Sequence, residues 1–237
     1  MTMNRFIQKT LPVGAFQCNC QILVCPITHE AVLVDPGDEP AKITQAIESI
    51  EAQLQSPIRV KALFHTHAHF DHIGATRAVK EYFQARAAAS GESKLPIPQI
   101  FLHQADEAIY QNLKMQGNLF GFETGEPLPV DQYFEDGQKL AVGSMKFTIL
   151  HTPGHSPGGV CMNLHQDTAN GVPETVFTGD TLFQGNIGRA DLWGGDEHTL
   201  VKSIRTRLMT LDGDIIAWPG HGPSTTIGEE KHSNPFI

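Results

Sequence analysis

Between His65 and His72 the chain reads His-Thr-His-Ala-His-Phe-Asp-His, a density of imidazole and carboxylate that points to metal binding. His67 and His69 lie two positions apart, so in an extended segment both side chains face the same side and can chelate one ion. Asp71 and His72 follow where the chain turns toward a helix, which aims them elsewhere and suits a second ion close to the first. A lone histidine is more often a packed or surface residue than a ligand. Three histidines and an aspartate within six positions are a stronger signal.

Four apolar runs each end in a turn that presents histidine or aspartate. Ala62-Leu63-Phe64 leads into the histidine cluster and Phe147-Thr148-Ile149-Leu150 into Thr152-Pro153-Gly154-His155. Val176-Phe177 leads into Thr178-Gly179-Asp180, and Ile215-Ile216-Ala217 into Pro219-Gly220-His221. Glycines beside the polar residues let the backbone turn sharply, and loops at strand ends are where rigid scaffolds hold functional groups. The four turns are expected to converge at one sheet edge.

The elements that must position these turns read as strands mixed with helices. Residues 17–25 and 30–35 form a hairpin that opens the fold, and Asp35-Pro36-Gly37 ends its second strand. Ile43, Ala46, Ile47, Ile50 and Leu54 recur at helical spacing over residues 40–54, behind a proline suited to a first helical position. Residues 58–64 read as a strand, 74–89 as an alanine-rich helix, 90–98 as a surface loop and 99–102 as a strand, with a helix from about 104. The least regular stretch, 117–129, is rich in Gly and Phe. It reads as a pocket wall or, more commonly at such length, a long connection. Strands at 139–142, 146–150, 159–164 and 175–177, a helix at 199–211 and a last strand at 214–218 complete the pattern. This order predicts an α/β fold of sheet layers covered by helices, in one domain over residues 1–237.

Composition narrows the function. A formal net charge of -9 argues against a nucleic-acid partner, whose binding depends on cationic side chains displacing counterions. No stretch approaches the roughly 20 apolar residues of a membrane span, and residues 1–15 lack the apolar segment of a secretion signal, so a cytoplasmic location is expected. Cys18, Cys20, Cys25 and Cys161 fit neither a disulfide framework nor paired zinc knuckles. Cys18 and Cys20 read as half-buried packing positions on a strand.

The run Thr66-His67-Ala68-His69-Phe70-Asp71-His72 resembles the THxHxDH signature of the metallo-β-lactamase superfamily. The stretch from Thr178 to Leu192, the run Pro219-Gly220-His221-Gly222-Pro223 and the closing Asn234-Pro235-Phe236 resemble its glyoxalase-II-like branch. The resemblance implies a four-layer αββα sandwich and two divalent metal ions, zinc first, with iron or manganese also suited to a mixed nitrogen and oxygen set. It assigns His67, His69 and His155 to one ion, Asp71, His72 and His221 to the other, and Asp180 to a bridge between them. Asp71 and Asp180 are the expected catalytic residues. Residues 85–131 match the family only loosely. A short tail after His221, where glyoxalase II has a helical glutathione-binding domain, marks the compact, single-domain type.

The chemistry so implied is hydrolysis of a small-molecule thioester, with neither nucleic acid nor membrane as partner. Metal-bound water supplies the nucleophile, and a thiol of pKa about 8.5 leaves without an obligatory proton donor. A bridging aspartate, where common β-lactamases use a cysteine ligand, argues against antibiotic hydrolysis as the main role. Two other readings stay open. A persulfide dioxygenase with one iron could use His67, His155 and Asp180, although the Pro-Gly-His-Gly-Pro ending resembles the hydrolases more. A metal-binding protein without catalysis would need its open coordination positions blocked. Arg189 and Asp191 read as a structural or supporting pair, and His65, His151 and His198 as packing or hydrogen-bonding residues. His29, His103, His165 and His232 read as surface positions.

Overall fold

The structure, a computed structural model, describes residues 6–89, 95–166 and 174–237. Its first sheet has six strands in chain order: β1 (Ile7–Val13), β2 (Cys18–Val24), β3 (Glu30–Val34), β4 (Arg59–Phe64), β5 (Gln99–His103) and β6 (Gln132–Phe134). The first three pair antiparallel and the rest parallel. Parallel strands need crossovers. These are α1 (Pro40–Leu54), then α2 (Phe70–Ile73) with α3 (Thr76–Ala89), then α4 (Glu107–Gln111) with α5 (Leu113–Leu119).

The second sheet contains β7 (Lys139–Val142), β8 (Met145–His151), β9 (Val160–His165), β10 (Thr175–Gly179), β13 (Ile216–Pro219) and β14 (Thr225–Thr226). β11 (Leu182–Phe183) and β12 (Asn186–Ile187) form a separate small hairpin. Helices α6 (Glu197–Ser203) and α7 (Ile227–Ser233) belong to this half of the fold.

Three apolar layers give the αββα order. Leu23, Val32, Phe64 and Phe101 of the first sheet pack between the sheets against Phe147, Ile149, Met162 and Phe177 of the second. On the outer face of the first sheet, Ile22 and Leu63 meet Ile43 and Ile47 of α1 and Val79 of α3. On the outer face of the second, Cys161, Val176 and Ala217 meet Leu200 of α6 and Ile227 of α7. Among the described residues no helix is long and apolar enough to cross a membrane.

Several expectations are corrected. Cys18 and Cys20 are fully buried, because β2 is covered on both faces rather than one. The 17–35 hairpin exists, but β1 precedes it. Pro12 and the polar residues of β1 hide that strand, and both are tolerated because it is an edge. Helix α3 starts at Thr76 rather than Gly74, and α5 runs into the stretch read as irregular. The helix expected at 199–211 starts earlier, at Glu197, where Asp196 accepts from the Thr199 backbone at 2.7 Å, and passes into a π-helical turn at Ile204–Leu208. The strand ending the chain is not β13, since β14 and α7 follow, with a Thr226/Glu229 capping box. Residues 90–94 of the expected loop lie outside the described residues.

Two contacts tie this frame to the histidine cluster. A Cβ at Gly37 would overlap the carbonyl oxygen of Asp71, so the turn after β3 and helix α2 touch backbone to backbone. His65, fully buried at the end of β4, lies 2.9 Å from the Phe101 carbonyl of β5 and 2.8 Å from the Thr76 hydroxyl of α3. Burial pushes its pKa from 6.5 down to about 4.

Gly37→Ala is expected to destabilise the protein by about 2 kcal/mol or more through overpacking against backbone that cannot rotate away, measured by urea unfolding. The unfolded chain takes up a proton on His65 before the folded one does. Its contribution to stability is therefore complete above pH 6.5 and is lost as the pH falls from 6.5 towards 4. Denaturation of metal-stripped protein across that window should show a decline to which His65 contributes about 3 kcal/mol.

Candidate metal centre

The four strand-end turns do converge. After β4 the chain bends at Thr66 and His67, and His69, the N-cap of α2, is extended with φ -73° and ψ 145°. Asp71 and His72 lie in the single turn of α2. His155 follows β8, Asp180 follows Gly179 at the end of β10, and His221 follows β13. The His221 turn is tied to the first sheet by Asn19, whose side chain donates to Pro219 O at 3.0 Å and Gly222 O at 2.9 Å. A Cβ at Gly220 would overlap Asp180 Oδ1, so only glycine lets the turn approach so closely.

All seven predicted residues meet. His155 Nε2 lies 2.8 Å from His69 Nδ1 and 3.1 Å from His67 Nε2. His72 Nε2 lies 3.1 Å from His221 Nε2, and Asp71 Oδ2 is 3.3 Å from His221 Nε2. Asp180 sits between the two sets, with Oδ1 3.4 Å from His72 Nε2 and Oδ2 3.6 Å from both His155 Nε2 and His221 Nε2. Three groups have ligand atoms all within 4.8 Å of one another: His67, His69 and His155; His67, His72 and Asp180; Asp71, His72 and His221.

Hydrogen bonds on the far side of four of the five rings fix which nitrogen faces the cluster. His155 Nδ1 donates to the Arg189 carbonyl at 2.7 Å, and His221 Nδ1 donates to the Phe16 carbonyl at 2.9 Å. His72 Nδ1 donates to Asp35 Oδ2 at 3.0 Å. The Thr66 hydroxyl gives its proton to Asp35 Oδ2 at 2.7 Å, so it accepts from His67 Nδ1 at 3.0 Å. In each of these four rings the nitrogen turned inward is therefore the one that offers a lone pair when the ring is neutral, the condition for holding a cation.

The donor set fits divalent metal. Nitrogens about 2.0–2.1 Å from a tetrahedral ion lie roughly 3.3 Å apart, close to the spacings of His67, His69 and His155. Burial works against charge on His72, yet Cys18, Asp180, Asp71 and Asp35 outweigh it and raise its pKa well above the usual imidazole range. Burial pushes the Asp180 carboxyl up, but His72, His155 and His221 hold it well below the usual range. Burial and the neighbouring His155 push His69 down to about 3. Asp180 Oδ1 is buried without a hydrogen-bond donor. Nitrogen and carboxylate donors converge here, and the shifts of His72 and Asp180 show that their cluster favours positive charge.

Sequence reasoning missed the groups that hold the ligand loops. Asp35, a φ +51° residue seen earlier only as a strand end, also accepts from the Thr66 backbone at 2.8 Å. Asp106 is buried below the site and accepts from Ala68 N at 3.0 Å, Ser156 Oγ at 2.8 Å and Gly158 N at 2.5 Å, joining the His67–His69 and His155 loops. Gln116 of α5 accepts from Phe70 N and donates to Ala68 O. The Arg189 guanidinium pairs with Asp191 at 2.7 and 2.9 Å on the surface, and it is the Arg189 carbonyl that supports His155. His198 is exposed rather than packed, and His103 is half-buried, its ring stacked on His151 at 4.0 Å.

A cavity of about 280 Å³ opens over the cluster, with His69, Asp71, His155, Asp180 and His221 at its floor. Phe16, Phe70, Phe120, Leu192, Trp193 and Arg189 complete its lining. The Gly- and Phe-rich stretch thus supplies a pocket wall.

The sequence profile of the metallo-beta-lactamase superfamily matches residues 13–221. Over 230 residues the chain is 38% identical to the hydroxyacylglutathione hydrolase GloC of Haemophilus influenzae, a match covering 97% of each. Among solved structures, the B3 metallo-beta-lactamase BLEG-1 aligns with a TM-score of 0.79 at 33% identity, over 97% of this chain and 99% of that one. TTHA1623, solved in a di-iron-bound form, aligns with a TM-score of 0.78 at 33% identity, over 97% of this chain and all of the other. The chain belongs to the metallo-beta-lactamase superfamily, as one of its metallo-hydrolases.

Proposed function

We propose that the chain is a binuclear thioester hydrolase, acting as one domain on acyl thioesters of glutathione or a similarly small thiol. The observation that carries this reading is the placement of Asp180 between two sets of inward-facing donors on the floor of an open cavity. His67, His69 and His155 would hold one ion and Asp71, His72 and His221 the other, with Asp180 bridging. The mixed nitrogen and oxygen set suits zinc first, and iron or manganese as well. GloC, named for hydroxyacylglutathione hydrolysis, supports the substrate class.

Divalent ions held there would supply hydroxide near neutral pH and an electrophile for the thioester carbonyl. The protein's part is orientation. His155 and His221 are pinned by backbone carbonyls, and His67 and His72 by Asp35, directly or through Thr66, so the donors are set before substrate arrives. Among the described residues no serine, threonine, cysteine or lysine lines the cavity, so no hydroxyl, thiol or amine side chain competes with water as nucleophile. The departing thiol, with a pKa of about 8.5, leaves as thiolate and needs no proton donor. The opening of the cavity onto the donors favours a catalyst over a storage site for metal. Four buried thiols, none in a disulfide, support a reducing, cytoplasmic setting.

Protein purified without added metal should contain close to two divalent ions per chain by elemental analysis and should release thiol from S-lactoylglutathione far faster than it opens β-lactams. One ion per chain at full occupancy counts against the binuclear site. Oxygen consumption with glutathione persulfide, while a panel of thioesters stays intact, overturns the hydrolase reading in favour of a dioxygenase. Asp180→Ala is expected to lose metal and at least about 100-fold in turnover, because it removes a ligand from both ions. Arg189→Ala keeps the carbonyl that supports His155 and should cost less than the roughly 10- to 100-fold typical of outer-shell changes. Metal content and turnover measured on both variants check this order.

A further inference from the structure

The cavity over the donors has two unlike halves. Its floor is polar, and its walls are carbon. On one side Phe16, from the turn between β1 and β2, meets Phe70 of α2 edge-on at 5.4 Å, Phe120 at 5.8 Å and Phe122 at 5.7 Å. Phe70 stacks on Phe120 at 5.1 Å and 19°. Three separate chain segments thus build one aromatic wall. On the other side stand Leu192 and Trp193, with the indole 5.9 Å from the His69 ring. At the rim Phe16 and Phe120 remain 43% and 40% exposed, apolar surface that a folded chain leaves to water mainly where something binds.

Charge points the same way. Apart from the histidines of the floor, Arg189 is the one basic side chain among the described residues lining the cavity, and its guanidinium is already taken by both oxygens of Asp191. An anionic group pushed between the phenyl rings would lose water and gain no partner. The volume, about 280 Å³, falls at the low end of small-molecule sites, roughly 300–1,000 Å³. It takes one moiety of a thioester rather than a whole tripeptide conjugate.

We infer that the wall receives the acyl half of the substrate, and that this acyl group is apolar and longer than acetyl or lactoyl, with Phe16 and Phe120 setting the preference. The inference rests on the thioesterase reading above and adds to it the acyl class. With the carbonyl carbon over the donors, an alkyl tail enters between Phe120 and Trp193 and releases the water held against them. A hydroxyl on the carbon next to the carbonyl, as in lactoyl, finds no polar side chain in these walls apart from the paired Arg189.

The test uses metal-loaded full-length protein and straight-chain acyl groups of nearly equal intrinsic reactivity. Acetyl, butanoyl and hexanoyl thioesters of glutathione, with S-lactoylglutathione alongside, are compared by kcat/KM. A second series keeps hexanoyl and varies the thiol from glutathione to N-acetylcysteamine. A fully buried methylene is worth about fourfold, and this cavity is partly open, so hexanoyl should exceed acetyl by at least about 10-fold. Phe120→Ala and Phe16→Ala should each bring the hexanoyl-to-acetyl ratio within the same variant to below about threefold. Binding of the products gives a readout apart from turnover: hexanoate should bind at least about 10-fold tighter than acetate, followed by tryptophan fluorescence. A flat acyl series, or lactoyl preferred over hexanoyl, overturns the inference while leaving the thioesterase reading in place. A steep dependence on the thiol with none on the acyl group also overturns it, by assigning the wall to the other half of the substrate. Failure to cleave any thioester removes the thioesterase reading itself, and this inference with it.

Discussion

The side chain of Asp35 is the interaction from which the rest of the site follows. Its two oxygens receive Thr66 N, Thr66 Oγ1 and His72 Nδ1, and the Thr66 hydroxyl passes the constraint on to His67. One buried carboxylate thereby turns a ring in each set so that both Nε2 atoms face inward. The result is costly for the bare protein, since His69 Nε2 and Asp180 Oδ1 are buried without a partner, a loss worth about 1–3 kcal/mol each. A chain can hold that arrangement only if its stability comes from elsewhere. Here it comes from three apolar layers, one between the sheets and one under each helical face.

Those layers also explain why the ligand loops stay in register. β4 lies in one sheet, and β8, β10 and β13 lie in the other. The loops that follow them meet only because Phe64, Phe147 and Phe177 lock the sheets together just below. Polar ties then cross the gap. Asn19 reaches from the first sheet to the His221 turn, and Asp106 joins the loop after β4 to the loop after β8. Each tie satisfies buried backbone groups that a loop would otherwise leave unpaired.

Much of this was legible in the sequence, and the reason is local. The donors sit within short runs, an apolar strand followed by a glycine- or histidine-bearing turn, and both halves of that pattern read without knowledge of the fold. Helix α1 was equally legible, with its proline start and its helical apolar spacing ending at Leu54. What escaped is non-local. Asp35 and Asp106 look like ordinary turn and helix-start residues, and their partners lie 31 to 52 positions away. β6 is three residues long and β14 two, too short for a period to show. β1 looked polar because an edge strand can afford to be.

The aromatic wall illustrates a further limit on sequence reading, and a division of labour. Residues 117–129 show no period because they form no regular element beyond α5. They double back instead: Phe122 N donates to Gly117 O at 2.9 Å, and Thr124 Oγ1 donates to Leu113 O at 3.1 Å. That fold-back brings Phe120 and Phe122 against Phe16 and Phe70, in ring pairs worth about 0.5–1.5 kcal/mol each beyond their burial. The Phe120 and Phe122 part of the wall is therefore held by its own contacts, whereas Phe70 sits between His69 and Asp71 and the Phe16 carbonyl supports His221. The donors hang from strand ends of two sheets and from α2, whereas Phe120 and Phe122 hang from a loop that packs mainly on other wall residues. Changes in that loop can alter what enters without disturbing the geometry of the donors, which is how one metal scaffold can serve different substrates.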